Sequence, residues 1–422
     1  MSQLSFLEKL LDGAEVEWLT LSEFAKKIYS GGTPNTKKIE YWENGSVPWM
    51  SSGEVNLKII YKTEKKISSI GLKNSSAKLV PKNSIVMALA GQGKTRGKVA
   101  RTRIDLTTNQ SLAAITFDEK KINTDYIFHF LETQYGSLRK ISSGNSGRGG
   151  INLQMISNYI APIPCPDDPK KSLAIQAEIV RILDSYTELT TELTTELSGR
   201  KKQYSYYRDQ LFRFEKGEVE YLPMGKEGIG KFIRGSGLQK KDFTETGVGC
   251  IHYGQIYTHY GTYADQTRTF VSEDFAKKAR KARSGDLVIA TTSETDEDVC
   301  KAVVWLGEAD IAVSSDACFY THSLNPKYVA YFFQTESFQK QKRQYITGAK
   351  VRRVNADSLA KILIPVPSPE KQATIVSILD KFDILTSSIS EGLPREIELR
   401  QKQYEHYRDL LLNFPKKEHQ TV

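Results

Sequence analysis

The chain's 422 residues exceed what one hydrophobic core holds, so two or three domains are expected. A formal net charge of +9 favours a polyanionic partner, while four dispersed cysteines (Cys165, Cys250, Cys300, Cys318) and six scattered histidines support neither a disulfide framework nor a zinc site. No run of about 18 apolar residues exists to cross a membrane, and residues 1–11 lack the apolar core of a signal peptide, so a reducing cytoplasm is the expected compartment.

In chain order, a first variable region runs from Val16 to Cys165. It opens on a short strand, Val16-Glu17-Trp18-Leu19, and reaches a Gly-rich turn at Ser30-Gly31-Gly32-Thr33-Pro34, where glycine is expected to supply unusual backbone angles. Val47 to Val55 follows, then a buried strand at Ser84-Ile85-Val86-Met87-Ala88 and a polar loop at Gly91 to Gly97. Asn123-Thr124-Asp125 signals a helix start, and Asn158 to Pro164 closes the region on a Pro-punctuated strand. A long helical stretch succeeds it, with Ile179, Ile182, Tyr186, Leu189, Leu193 and Leu197 at spacings of three and four.

The same order then repeats. Val219-Glu220-Tyr221-Leu222, a turn at Arg234-Gly235-Ser236-Gly237, Cys250 to Ile256, Asp286-Leu287-Val288-Ile289-Ala290, a loop at Thr291 to Asp296, Asn325-Pro326-Lys327-Tyr328 and Lys361 to Pro367 match those landmarks. The helical end repeats most closely. Gln176-Ala177-Glu178-Ile179-Val180-Arg181-Ile182-Leu183-Asp184 returns as Gln372-Ala373-Thr374-Ile375-Val376-Ser377-Ile378-Leu379-Asp380, and Lys202-Gln203-Tyr204-Ser205-Tyr206-Tyr207-Arg208-Asp209 as Lys402-Gln403-Tyr404-Glu405-His406-Tyr407-Arg408-Asp409. A lone helix would leave its apolar stripe wet, so the two helices are expected to cover each other. The candidate spacer-helix and subunit-interface residues are Ile179, Leu183, Leu189, Leu193, Leu197, Tyr204 and Tyr207 in the first copy and Ile375, Leu379, Leu385, Tyr404 and Tyr407 in the second. Gly392-Leu393-Pro394 should interrupt the second helix.

The expected fold class is therefore α+β: two α+β domains (residues 1–165 and 215–368) separated by long helices (166–214 and 369–422). The helices would pack on each other, in a pseudo-two-fold internal repeat. Between landmarks the halves diverge almost completely, which suits a protein that reads two different targets.

Catalytic readings fare poorly. Ala88-Leu89-Ala90-Gly91-Gln92-Gly93-Lys94-Thr95 fits a relaxed phosphate-loop pattern, but Gly97 interrupts it and Val99 to Ile104 alternate like a strand where a helix is required. An amino-methyltransferase turn needs Asn/Asp-Pro-Pro-aromatic, and no Pro-Pro occurs. Pro166-Asp167-Asp168-Pro169-Lys170 has nuclease-like residues without nuclease spacing and reads as a linker turn. Basic loop residues are better candidates, for DNA contact: Lys94, Arg96, Lys98 and Arg148 in the first half, and Arg234, Lys240, Lys350, Arg352 and Arg353 in the second. Trp42, Trp49, Tyr253 and Tyr257 are assigned to the core.

The duplicated blocks, the Pro-x-Pro exits at Pro162 and Pro365, and a threefold Thr-Glu-Leu tract from Thr187 to Leu197 resemble the specificity subunit of type I restriction-modification enzymes, in the subfamily with central tetrapeptide repeats. The resemblance implies two target recognition domains on two spacer helices packed as an antiparallel coiled coil, reading a bipartite, asymmetric double-stranded DNA site. It implies a non-catalytic chain that binds no cofactor or metal and assembles with two modification subunits and with restriction subunits. Those partners would bind S-adenosylmethionine, ATP and Mg, for adenine N6 methylation or ATP-driven cleavage. A nucleotide-binding protein built on the Lys94 loop and a coiled-coil adaptor that binds only proteins remain as alternatives.

Overall fold

Four apolar residues in a row, Ile85-Val86-Met87-Ala88, demand a strand covered on both faces. In the computed structural model, which describes residues 6–91, 94–143, 149–387 and 391–414, this strand is the centre of a five-stranded sheet. Leu112–Phe117 and then Ala25–Ser30 lie to one side of it, Val99–Thr102 and then Ile59–Ile60 to the other. The second half repeats that order around Leu287–Ala290, with Ala317–His322 and Gly230–Arg234 on one side and Ala302–Trp305 and Tyr263–Ala264 on the other. Both copies pair antiparallel except at the last strand, which is parallel in each. A second sheet recurs as well, of four strands around Val47–Met50 and Leu106–Thr108 in one half and of five around Val248–Ile251 and Ile311–Val313 in the other.

Each half is closed by a ribbon that joins its opening and exit strands: Val16–Thr20 with Ile160–Pro164, and Glu220–Pro223 with Leu363–Val366. A two-stranded ribbon leaves outer edges unpaired, so Pro162 and Pro365 sit there without breaking a ladder.

The compact units do not follow chain order. One comprises residues 1–190 with 399–422, the other residues 191–398. The central helix Pro169–Leu211 therefore starts in the first unit and ends in the second. Of the C-terminal helices, Pro369–Ser387 lies in the second unit, and Gly392–Leu412 crosses back into the first. Pro394 occupies the first turn of that last helix, where its missing N–H costs nothing.

Within the first unit, the duplicated Gln-to-Asp block docks the start of the central helix on its own domain. The Gln176 side-chain carbonyl accepts the backbone N–H of Asn123 at 2.8 Å, and Asn123 caps the helix Thr124–Thr133. Asp184 accepts from Arg101 at 2.9 and 3.1 Å and bonds His129 at 2.9 Å. The end of the last helix packs on the same domain: Tyr407 stacks on Tyr186 with ring centroids 5.3 Å apart, and Leu411, Leu412 and Phe414 enter the core.

Within the second unit the same contacts recur with different chemistry. Gln372 accepts from the Asn325 N–H at 2.9 Å, while Asp380 takes the Tyr331 hydroxyl at 2.6 Å and Lys327 at 2.8 Å. Here the end of the central helix supplies the second block. Tyr204 donates to Gln334 at 2.9 Å, Asp209 accepts the Glu336 N–H at 3.0 Å, and Phe212 stacks on Tyr328. Tyr207 stacks on Phe382 yet stays 43% exposed.

Two expectations need correction. Ile179, Leu183, Ile375 and Leu379, expected on the spacer helices as interface residues, are fully buried in the cores of the domains that precede them, so the stripe first covers a domain. Leu189, Leu193, Leu197 and Leu385 are half-buried. The Gly-rich turns also serve a different purpose. Neither Gly31 nor Gly235 has positive φ, but a Cβ at Gly31 would lie 2.1 Å from the Thr108 carbonyl oxygen, and one at Gly235 2.1 Å from that of Ser314. Close approach of two chain segments, and not backbone freedom, requires glycine there.

Candidate nucleic-acid interface

In each unit the central strand hands over to a loop, and a second segment folds back against that loop. In the first unit the Ile151 N–H bonds the Leu89 carbonyl at 3.0 Å, and in the second Val354 bonds Thr291 at 3.1 Å. The sequence placed these segments in corresponding positions, and the structure brings each pair together.

The loop 89–98 of the first unit joins two antiparallel strands, Ile85–Ala88 and Val99–Thr102. No helix follows it, and the Thr95 hydroxyl is spent on the Ala90 carbonyl at 3.0 Å. A phosphate cradle needs a helix N-terminus at this point, so the nucleotide-binding alternative is not supported. Lys94 is exposed, and Lys98 donates to Asn56 at 2.7 Å. Arg96 points inward: it is 5% exposed and donates to the Gly149 carbonyl, tying the loop to the segment that folds back. Its role in this structure is internal. Arg148 lies outside the described residues.

The corresponding loop of the second unit carries four acids, Glu294, Asp296, Glu297 and Asp298. It is pinned from beneath by Lys342, fully buried, whose ammonium donates to the carbonyls of Glu297 at 3.0 Å and Val299 at 2.8 Å. Burial lowers the lysine's pKa, and those carbonyls supply the hydrogen bonds a buried ammonium needs. Thr292–Ser293 pairs with Arg352–Arg353 as a short antiparallel ribbon. Arg352 is paired with Asp296 at 2.8 Å and donates to the Gly348 carbonyl at 2.6 Å, whereas Lys350 and Arg353 are exposed. Arg353 and Arg234 border one cavity of about 290 Å³, lined also by Thr292, Asp316, Thr347 and Asn355. Arg234 is anchored by a 3.1 Å bond to the Ser315 carbonyl. Lys240 is exposed on a separate turn; burial first, and then the charge of Lys240, lower the pKa of His252.

Sequence reading missed one basic surface. From Lys58 to Lys82 the first unit carries seven lysines, all exposed, against a single acid, Glu64. Tyr61, Leu57 and Leu79 are exposed among them. Local charge density was the available signal, obscured because the stretch holds no glycine loop and no repeat partner. Trp49, buried and bonded to the Gly32 carbonyl, and Trp42, set edge-on against it, belong to the fold as expected. Among the described residues no helix is long and apolar enough to cross a membrane.

Comparisons with known proteins agree with this architecture. The family model described as type I restriction modification DNA specificity domain matches residues 14–199 and 228–399. The chain is 35% identical to the type I restriction enzyme EcoR124I/EcoR124II specificity subunit of Escherichia coli, over 99% of both chains. It is 33% identical to the EcoprrI specificity subunit of the same organism, over 93% of both. Among solved structures, the fold is similar to a chain from a type I R-M system studied for complex assembly and conformational transition (TM-score 0.61, 13% identity, 94% of this chain and 97% of that one). It is also similar to the type I S subunit from M. genitalium (TM-score 0.54, 13% identity, 96% and 98%). The duplicated scaffold and these matches lead to one assignment: the chain belongs to the family of type I restriction-modification DNA specificity subunits.

Proposed function

We propose that each compact unit reads one half of a bipartite double-stranded DNA sequence and that the chain performs no chemistry itself. Two modification subunits would dock on it and methylate adenine N6 with S-adenosylmethionine. Restriction subunits would add ATP- and Mg-dependent translocation and cleavage. The observation that carries the reading is the pair of equivalent loops: one scaffold, built twice, presents different charged residues at the same place. Two rigid frames with divergent tips suit recognition of two unrelated half-sequences. The test is methylome sequencing of cells expressing this chain with its neighbouring subunits. A split motif carrying methylated adenine is expected, and a continuous motif, or none, overturns the reading.

Two substitutions refine it. Replacing Lys350 and Arg353 together with alanine should weaken binding to one half-site and flatten the salt dependence by about one unit for each phosphate no longer neutralised. Arg352, held by Asp296 and Gly348, should act through the loop's shape and leave that slope nearly unchanged. In the first unit, Lys94→Ala should leave ATP hydrolysis by the assembled complex intact while DNA affinity falls. Loss of hydrolysis with DNA binding unchanged would contradict a purely DNA-reading role for that loop.

A further inference from the structure

The segment Thr347 to Arg353 is a hairpin whose shape is fixed from within. Thr347 and Arg353 exchange two backbone hydrogen bonds of 2.9 Å. Gly348 turns at φ +89°, and a Cβ there would lie 2.1 Å from the Val351 carbonyl oxygen, so the turn accepts only glycine. The Arg352 side chain crosses the loop to the Gly348 carbonyl and continues to Asp296. Held at the tip, between exposed Lys350 and the hairpin's far strand, Val351 remains 44% exposed. A lone exposed valine on a flexible loop would call for no explanation. This one is presented by a constrained turn between cations, so little ordering entropy would be lost when it meets a partner.

We propose that Val351 is a specificity-determining residue that packs against a thymine C5-methyl group in the half-site read by the second unit. The inference rests on the DNA-reading role proposed above. The chemistry is matched: thymine alone among the four bases shows a methyl group in the major groove, and a β-branched side chain with one stiff rotor is a rigid apolar contact for it. The exposed Lys350 and Arg353 ammonium and guanidinium groups would hold the flanking phosphates.

The test uses the full chain assembled with its modification subunits and duplexes in which each thymine of that half-site is replaced, one at a time, by deoxyuridine. One replacement should weaken binding about four-fold, the factor for one buried methyl group (~0.8 kcal/mol). The Val351→Ser complex should bind the unmodified duplex weaker by a similar factor and show no further loss on that replacement. If the complex binds its bipartite site and no deoxyuridine distinguishes the wild-type protein from Val351→Ser, the inference is wrong. If the wild-type complex shows no preference for any bipartite duplex, the DNA-reading role itself fails.

Discussion

Asp184→Ala should destabilise the first compact unit by about 2–3 kcal/mol, since a buried guanidinium loses the charged acceptor that takes two of its hydrogen bonds and keeps one other carboxylate. Arg101 is only 5% exposed at its side chain, and its guanidinium is held between Asp184 at 2.9 Å and Asp125 at 3.2 Å. Removing Asp184 strips the bidentate acceptor and also frees His129, leaving Asp125 to compensate alone. The equivalent change in the second unit should be milder, about 1–2 kcal/mol. There Asp380 faces a hydroxyl and Lys327, and the lysine keeps the Tyr263 ring 3.9 Å away as a second partner. Thermal unfolding of the two variants checks this. Equal losses would show that the repeated aspartate works through helix packing alone and not through the buried arginine.

The same carboxylate gives the first unit an acid limit. Burial opposes ionisation of Asp184, but hydrogen bonds from His129 and Arg101 prevail and hold its pKa at about 2. A folded pKa below the unfolded value, about 3.9, means the contribution is complete above roughly pH 4 and is lost as pH falls toward 2. Its size is on the order of 2 kcal/mol. Denaturation of Asp184→Asn followed from pH 5 to pH 2 should be flatter than wild type over that window; a parallel loss would place the acid sensitivity elsewhere.

These contacts show what could be read in the sequence. Apolar spacing and repetition are one-dimensional signals, so the halves, the strands Ile85–Ala88 and Leu287–Ala290, the capping residues Asn123 and Asn325 and the interruption before Pro394 were all visible. The partners of polar residues were not. Gln176 and Asp184 stand in the repeated block beside the leucines, but that they dock the helix on Asn123 and Arg101 depends on a helix cap and a strand more than fifty residues away. For the same reason Arg96 looked like a DNA contact. Its charge is plain from the sequence, and its inward direction is set by the segment at Gly149. Arg101, the buried cation that Asp184 and Asp125 hold, sits in a strand that reads as ordinary β structure. The apolar stripe misled in the opposite sense, because a buried position is recognisable in sequence while the surface that buries it is not.

Adding one Thr-Glu-Leu-Thr unit to the central helix should change the unspecified gap of the recognised DNA site by one or two base pairs and leave both half-site sequences unchanged. The tract from Thr187 to Leu197 is helical throughout, inside Pro169–Leu211, and the boundary between compact units falls within it, at Thr190/Thr191. An insertion there enters neither domain core. The threonines are compatible with a continuous helix: Thr190 and Thr195 turn their hydroxyls back to the carbonyls of Tyr186 and Thr191, at 2.8 and 2.9 Å. Four residues add about 6 Å of rise and, at roughly 100° per residue, return to the same face with a drift of about 40°. The half-buried leucines Leu189, Leu193 and Leu197 would therefore stay nearly aligned. One base pair advances DNA by about 3.4 Å and turns it by roughly 35°. The rotation of one unit thus matches one base pair, while its rise lies nearer two. The C-terminal path consists of two helices, Pro369–Ser387 and Gly392–Leu412, so the insertion lengthens one connection and not a matched pair of rods. Methylation mapping of the insertion variant decides the matter: an unchanged gap, or altered bases in either half-site, would show that the tract is a solvated helix and does not set spacing.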